Sequence, residues 1–586
     1  MNVTRIFDLL DQYNELYLSK EDALVHKVND QWVNVSTAEY IDSAYSVSSA
    51  LRSLGIKKGD KVATVMKNSP EWNYMDMGLM MIGAIHVPAY STISETTFKY
   101  IFNEAEIKIV ITSTHEMYEQ IMPIIKEIPS VKEVYCVEDV EGVKNFKELL
   151  DLGKNGNKNE IDKIKATIKE DDVATIIYTS GTTGTPKGVM LSHKNIISNL
   201  KEVANVLKEN MVETALSFLP VCHVYERIIN YTYQDFGMTI FYAESIEKVG
   251  DNMREVHPGM FCAVPRVIEK SFDKIMAKGR DLKGIKKMMF FWALNIGYRY
   301  VPNKNMGWWY RTKHKIVDKL VFSKWREAMG GRLQVIVSGG ATLQPRLSHV
   351  FWAAGIKIME GYGLTETSPV IAVATFKPDG VKIGTVGPVM MGQVKFAQDG
   401  EILFKGPNVM LGYFKKPEET KKVIDPDGWF HTGDIGVLED EKYLKITDRK
   451  KEIFKTSGGK YIAPQVLESK FKESSFIENI MVVGENKNFP AAIIIPNFDH
   501  LKSWCRVKGL TYVSAREAIQ TERIVNRIQR EVDEMNASLD KTEQIKKIVL
   551  LDKPWSVEDG DLSQTLKLKR KHLLVKLEDI IEGIYI

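Results

Sequence analysis

An α/β protein with a mostly parallel, doubly wound sheet and more than one domain is what the sequence predicts, on three observations. Short β-branched strands alternate with helical stretches through the first 112 residues, the pattern of a parallel sheet with helical crossovers. Two apolar strands run straight into glycine-rich loops, at 173–188 and 334–341, and in an open parallel sheet ligands bind where strands end. The 586 residues exceed one ordinary core, and 44% apolar with 26% charged residues are the proportions of a soluble globular chain.

Taken in order, the N-terminus MNVTRIFDLLDQYNEL carries Asp8 and Asp11 where a signal peptide would need an apolar core. Ser36-Thr-Ala-Glu39 is a capping-box pattern, predicting a helix with Ile41, Ala44, Tyr45, Leu51 and Leu54 on one face and Gly55 at its end. A strand at 61–66, a helix over 71–84, and strands at 86–90 and 108–112 follow. The longest uncharged apolar patch, 77–90, contains Gly78, Gly83, His86 and Pro88 and is too short and broken to span a bilayer. Residues 151–172, rich in Lys, Asn and Glu, predict a polar connection.

Residues 173–188 read VATIIYTSGTTGTPKG. The first six suit a buried strand. Beyond it, Gly181, Gly184 and Gly188 permit close approach to the backbone, Thr179, Ser180, Thr182, Thr183 and Thr185 supply hydroxyls, and Lys187 adds a cation. Small residues, donors and one cation are what a polyphosphate needs. Pro186 stands where the Walker pattern requires glycine, which argues against an ordinary P-loop NTPase. The plainer alternative is a flexible surface loop.

Seven further stretches carry information. SFLPVCHVYER (217–227) places His223, Glu226 and Arg227 after an apolar strand, a pattern that also fits an ion-paired helix start. Residues 282–317 hold eight Lys or Arg and no acid, interleaved with Phe290, Phe291, Trp292, Trp308, Trp309 and Tyr310; this suits an anionic lipid surface, or equally two packed helices with snorkelling lysines. QVIVSGGA (334–341) leads, after one helix, to KIMEGYGLTET (357–367). DGWFHTGD (427–434) sets Asp434 behind a Thr-Gly turn. The charge run TDRKKEIFKTSGGK (447–460) reads as a linker, and LSQTLKLKR (562–570) lies near the end.

A net charge of +3 is too balanced for a nucleic-acid partner. Cys136, Cys222, Cys262 and Cys505 are scattered without a C-x-x-C pair, which fits a reducing compartment and predicts a cytoplasmic protein.

These motifs, in this order, resemble those of the AMP-forming acyl- and aryl-CoA synthetases, and the D-G-W-x-H-T-G-D form is similar to long-chain fatty acyl-CoA synthetases in particular. The resemblance implies a large N-terminal domain (1–447) of doubly wound sheets plus a distorted barrel, and a small mobile α/β C-terminal domain (448–586). It implies ATP, Mg2+ and CoA, with a fatty acid activated to acyl-AMP and then transferred to CoA. The nucleotide site would comprise Thr179, Ser180, Gly181, Thr182, Thr183, Gly184, Lys187, Gly340, Ala341, Glu360, Gly361, Tyr362, Thr365, Asp434, Arg449 and Lys567. Tyr362 would stack on adenine, Asp434 would take both ribose hydroxyls, and Glu366 with Ser180 would hold Mg2+. Catalysis would fall to Lys567, Glu366, Thr365, His223 and Lys187; Lys451 would be the hinge, and Lys455, Gly458 and Gly459 would serve the thioester step. Where the family has Gly-Lys in its last motif, this chain has Leu566-Lys567, and Lys569 is the alternative register. An acyl carrier protein as acceptor, another acyl- or aryl-CoA ligase, a peptide-synthetase module and a non-catalytic lipid-binding homologue are the rival readings. Oligomeric state stays open, a homodimer included, as does peripheral contact with a membrane.

Overall fold

The computed structural model describes residues 3–179, 185–563 and 566–586. Two large sheets dominate the first 450 residues. One has eight strands in the order Val370–Val373, Lys357–Gly363, Val335–Ser338, Met260–Ala263, Thr214–Ser217, Thr239–Tyr242, Leu24–Val28 and Gln31–Val35. Its six inner strands are parallel and its two edges antiparallel. The other has seven, in the order Gly412–Tyr413, Lys187–Ser192, Val173–Thr179, Ile85–Pro88, Lys61–Val65, Ile109–Thr112 and Glu133–Cys136, the last five parallel.

The predicted capping box forms: the Ser36 hydroxyl accepts from the Glu39 N–H at 3.2 Å, and the Glu39 carboxylate accepts from the Ser36 N–H at 2.8 Å. It opens the helix Thr37–Ser53, and Gly55 follows at φ +83°, the left-handed geometry that ends helices. The next helix, Pro70–Met81, is buried on nearly every side, its Asn73 and Asp76 included. Its core, shared with the helices His193–Leu207 and Val224–Asp235, is the largest apolar cluster of the molecule.

One expectation needs correction. Residues 151–172 are not a bare connection: the helix Phe146–Gly153 runs into them and Lys158–Lys165 forms another, capped by Asn157. That helix is mostly polar and is held by buried Ile161 and by Lys165, whose ammonium lies 2.7 Å from Asp11, so its apolar period is too weak to read. The buried strand expected at 173–178 forms as Val173–Thr179 and pairs antiparallel with Lys187–Ser192, with Thr179 opposite Lys187 and Tyr178 opposite Gly188.

Strands Gln393–Phe396, Glu401–Lys405, Phe430–Glu439 and Tyr443–Arg449 form a four-stranded antiparallel sheet. Bridges Ala372–Val389 and Pro388–Tyr443 tie it to the edge of the eight-stranded sheet. The rest of the chain builds a three-stranded sheet, Ile477–Val483, Ala491–Pro496 and Lys547–Leu550, with helices and apolar clusters of its own. Among the described residues, Leu566 alone packs against both this core and the large one, and it does so at φ +59°.

Candidate functional site

The site is assembled where the four-stranded sheet meets the end of the eight-stranded one. Antiparallel register sets Asp434 opposite Arg449, and the Arg449 Nε stands 3.2 Å from Asp434 Oδ1. From the end of Lys357–Gly363, the Tyr362 hydroxyl donates to Asp434 Oδ2 at 2.8 Å. Burial pushes the Asp434 carboxyl above its ordinary value despite Arg449, Tyr362 and Lys567 beside it.

Lys567 reaches this group from the C-terminal part of the chain. Burial, and then the neighbouring Arg449 guanidinium, push its ammonium down to about 8, while Asp434 and Glu452 act the other way. The same ammonium acts on His223, whose imidazole is brought to about 4 by burial first and Lys567 second. His223 caps the helix Val224–Asp235, its Nδ1 accepting from the Tyr225 N–H at 3.1 Å. Lys569, two residues on, is exposed at the start of the helix Arg570–Lys576. Arg570 anchors this stretch: its guanidinium donates to Glu468 at 2.5 Å and to the Val482 carbonyl at 2.8 Å, and Glu452 lies 3.4 Å away.

A second group lies beside the first. Thr365 is buried and Glu366 follows it in the turn Thr365–Thr367. The Tyr413 hydroxyl donates to Glu366 Oε1 at 2.9 Å, and burial raises the Glu366 carboxyl. Lys187 stands 2.7 Å from Glu419 and 5.0 Å over the Tyr413 ring, so one tyrosine links the predicted cation and the predicted carboxylate. Neither Tyr413 nor Glu419 carries a sequence signal; both come from a segment 226 and more residues downstream of Lys187.

Of the other predicted residues, Gly340 takes φ +84° with exposed Ala341 beside it. A Cβ at Gly361 would lie 3.3 Å from Val373, which would have to give way for any side chain there. Glu360 accepts from the Ser348 hydroxyl at 2.8 Å, and burial raises it to about 7. Thr179 ends its strand opposite Lys187. Ser180, Gly181, Thr182, Thr183 and Gly184 lie outside the described residues. Lys451 falls in the turn directly after Arg449. Lys455, Gly458 and Gly459 occupy an exposed hairpin tied to the small domain's own loop by Asn486 N–H to Lys455 O and Ser457 N–H to Lys487 O, both 2.9 Å. They do not join the nucleotide-site cluster here.

Beneath the site lies an ion network in which Arg227 bears out the ion-paired reading of 217–227, while its partners Asp76 and His86 carry no sequence signal. Arg227 is buried and donates to Asp76 and, at 2.8 Å, to the Thr175 hydroxyl; Tyr231 also donates to Asp76. His86 completes it, with Nδ1 2.6 Å from Asp76 and Nε2 2.7 Å from Thr64. Burial opposes the Asp76 charge, but Arg227 and then His86 outweigh it and hold the carboxyl below its ordinary value. Glu226 turns to the other side, accepting from Ser217 at 2.6 Å and Cys262 at 2.5 Å, and burial lifts it to about 7.

Comparison with known proteins gives a consistent picture. Residues 18–414 match the AMP-binding enzyme family, and residues 451–586 match the AMP-binding enzyme C-terminal domain. The long-chain-fatty-acid–CoA ligase FadD15 of Mycobacterium bovis is 31% identical over 95% of this chain and 93% of that protein. Long-chain-fatty-acid–CoA ligase 5 of Rattus norvegicus is 30% identical over 95% and 85%. Among solved structures, the fatty acyl CoA synthetase of Mycobacterium tuberculosis aligns with TM-score 0.62 at 22% identity over 97% of each chain. The anthranilate CoA ligase AuaEII, in complex with anthranoyl-AMP, aligns with TM-score 0.73 at 17% identity over 98% and 97%.

Proposed function

This chain belongs to the AMP-binding enzyme family, and on that premise we propose that it is a ligase that activates a long-chain fatty acid with ATP, releases pyrophosphate, and passes the acyl group from acyl-AMP to CoA. The observation that carries the reading is that Lys567, from the C-terminal part of the chain, lies within electrostatic reach of Asp434, Arg449 and His223.

A carboxylate is a poor electrophile until its oxygen is esterified to a good leaving group. In adenylation the carboxylate oxygen attacks the α-phosphorus and pyrophosphate departs, so negative charge crowds around the phosphoryl group and must be met by preorganised cations. Lys567 would supply one such charge and Lys187 another. Asp434 would accept hydrogen bonds from the ribose hydroxyls, with Arg449 and Tyr362 fixing its orientation. His223, neutral at physiological pH, would line the acyl side. For the second step we infer that the small domain turns about Lys451 and brings Lys455, Gly458 and Gly459 towards the adenylate, so that the CoA thiolate can attack the carbonyl.

Among the described residues no cluster of three or more His, Cys, Asp or Glu side chains stands ready to hold a metal. A lone partly buried carboxylate, Glu366, fits Mg2+, which takes one or two carboxylates and fills its sphere with phosphate oxygens and water. Bound there, Mg2+ would neutralise phosphate charge. Glu366→Gln keeps an acceptor for Tyr413 but removes the charge, so acid-dependent ATP–pyrophosphate exchange should collapse at an unchanged Tm. Exchange at the parental rate would remove Glu366 from that role.

Four free, buried cysteines support a reducing, cytoplasmic setting. Pyrophosphate release measured across saturated acids of increasing length, with aromatic acids beside them, tests the substrate; release indifferent to the acid, or confined to aromatic ones, would overturn it. Supplying CoA or an acyl carrier protein to the charged enzyme decides the acceptor.

A further inference from the structure

We propose that the outer face of the helices Gly284–Tyr298 and Trp308–Val317 docks onto an anionic lipid surface, a property separate from the chemistry above. The first helix packs its Phe290, Ala293, Leu294 and Ile296 into the large core. A surface helix should then turn polar residues outward. Instead its outer side shows Ile285 and Met288, 74% and 64% exposed, with Phe291 beside them. On the second helix Trp308 and Trp309 are 66% and 70% exposed, their rings 4.3 Å apart. Indole rings on a wet surface suit a lipid headgroup boundary, where an apolar body and a polar edge are both satisfied.

Charge selects the partner. Residues 282–317 hold eight Lys or Arg and no Asp or Glu. Among the described residues none of the eight is ion-paired, whereas Lys421 and Lys422, exposed elsewhere, are paired with Glu418 and Glu419. The chain has 79 basic and 76 acidic residues, so without these eight it would be net acidic. Flexible unpaired lysines around an apolar, indole-bearing surface match a diffuse negative plane better than a partner with fixed hydrogen-bonding geometry. No described helix is long and apolar enough to cross a membrane, and a helix of 15 residues reaches only about 22 Å. The contact would therefore lie in the interface.

The test is co-sedimentation of the full chain with vesicles of phosphatidylcholine alone or with phosphatidylglycerol added. Binding to the anionic vesicles, weakening as salt rises, is expected, because screening cuts such attraction to roughly 8 Å at physiological ionic strength. Lys283→Glu/Lys286→Glu/Lys287→Glu and, separately, Trp308→Ser/Trp309→Ser should each weaken it tenfold or more. Both variants should keep the parental rate of pyrophosphate release on a soluble medium-chain acid, which shows that they fold. Reversal of three exposed lysines on other elements, Lys154, Lys163 and Lys169, should leave sedimentation intact. Equal recovery with both vesicle types, an equal loss from that control set, or a Trp308-dependent self-association of the chain without vesicle binding would each overturn the proposal.

Discussion

The Lys567 ammonium sits between a guanidinium that repels it and carboxylates that hold it, in a site where burial already disfavours charge. Its position predicts a split between half-reactions. Lys567→Ala should lose ~10²–10³ in adenylation, the usual cost of one charged partner in a water-poor site, yet convert supplied acyl-AMP and CoA to thioester at near the parental rate. Equal damage to both steps would separate Lys567 from the first. Because its proton is lost near pH 8, adenylation kcat/KM should fall as pH rises through that value, well before an ordinary lysine titrates. Lys569→Ala should leave this profile in place. Glu226 offers a second pH effect at the same scale. Its folded-state value, about 7, lies above the ordinary 4.5, so the folded protein binds this proton more tightly than the unfolded chain. Stability therefore falls as pH rises from about 4.5 through about 7. Glu226→Gln keeps one acceptor oxygen and replaces the other with an N–H2 that the Ser217 hydroxyl or the Cys262 sulfur can accept, without the charge, and should raise stability at pH 8, by at most roughly 3 kcal/mol, with little gain at pH 4.5. Urea unfolding at the two pH values decides it.

Elements are held in place by contacts of very long sequence range. The guanidinium of Arg227, on Val224–Asp235, ties that helix to Thr175 on Val173–Thr179 and to Asp76 on Pro70–Met81, while Asp76 in turn holds His86 on Ile85–Pro88. The strand that leads to residues 180–184 and the helix capped by His223 thus share one buried anchor. Removing one partner of such a pair leaves an uncompensated charge and typically costs 3–5 kcal/mol. Arg227→Met should lose stability on that order, and Arg227→Met/Asp76→Asn should recover part of it, as measured by denaturant midpoints. A loss under 1 kcal/mol would show that the network is dispensable. Local signals were legible at this scale where they are strong, as in the Ser36–Glu39 capping box. They were not legible for Lys158–Lys165, whose stability comes from buried Ile161 and from Lys165 reaching Asp11.

At the scale of the whole molecule, the small domain keeps its own apolar clusters and meets the large one mainly through polar contacts: Arg266 with Glu478 at 2.5 Å, Arg280 with His500 at 2.6 Å, and the Gln344 amide donating to the Lys472 carbonyl at 3.2 Å. An interface of that kind, with Leu566 as its apolar bridge, suits a docking that must be undone within each turnover. Lys451→Pro should stiffen the segment between the two parts. Acyl-AMP should then form and accumulate while thioester formation stalls, as single-turnover measurements of each step would show. Normal thioester formation would place the pivot elsewhere.

The sequence by itself determined the class of fold, the membership in a family and the identity of most candidate residues, because each of these is written in short runs: apolar alternation, capping pairs, glycines beside hydroxyls and a lysine. Tertiary structure alone decided what those residues face. That Lys187 pairs with Glu419 across the Tyr413 ring, that Tyr362 and Arg449 share one Asp434, and that Asp76 meets Arg227 across 151 positions are facts of strand register and domain docking. No local pattern encodes them, since the entropy of bringing such distant residues together is offset only by the packing of the entire molecule.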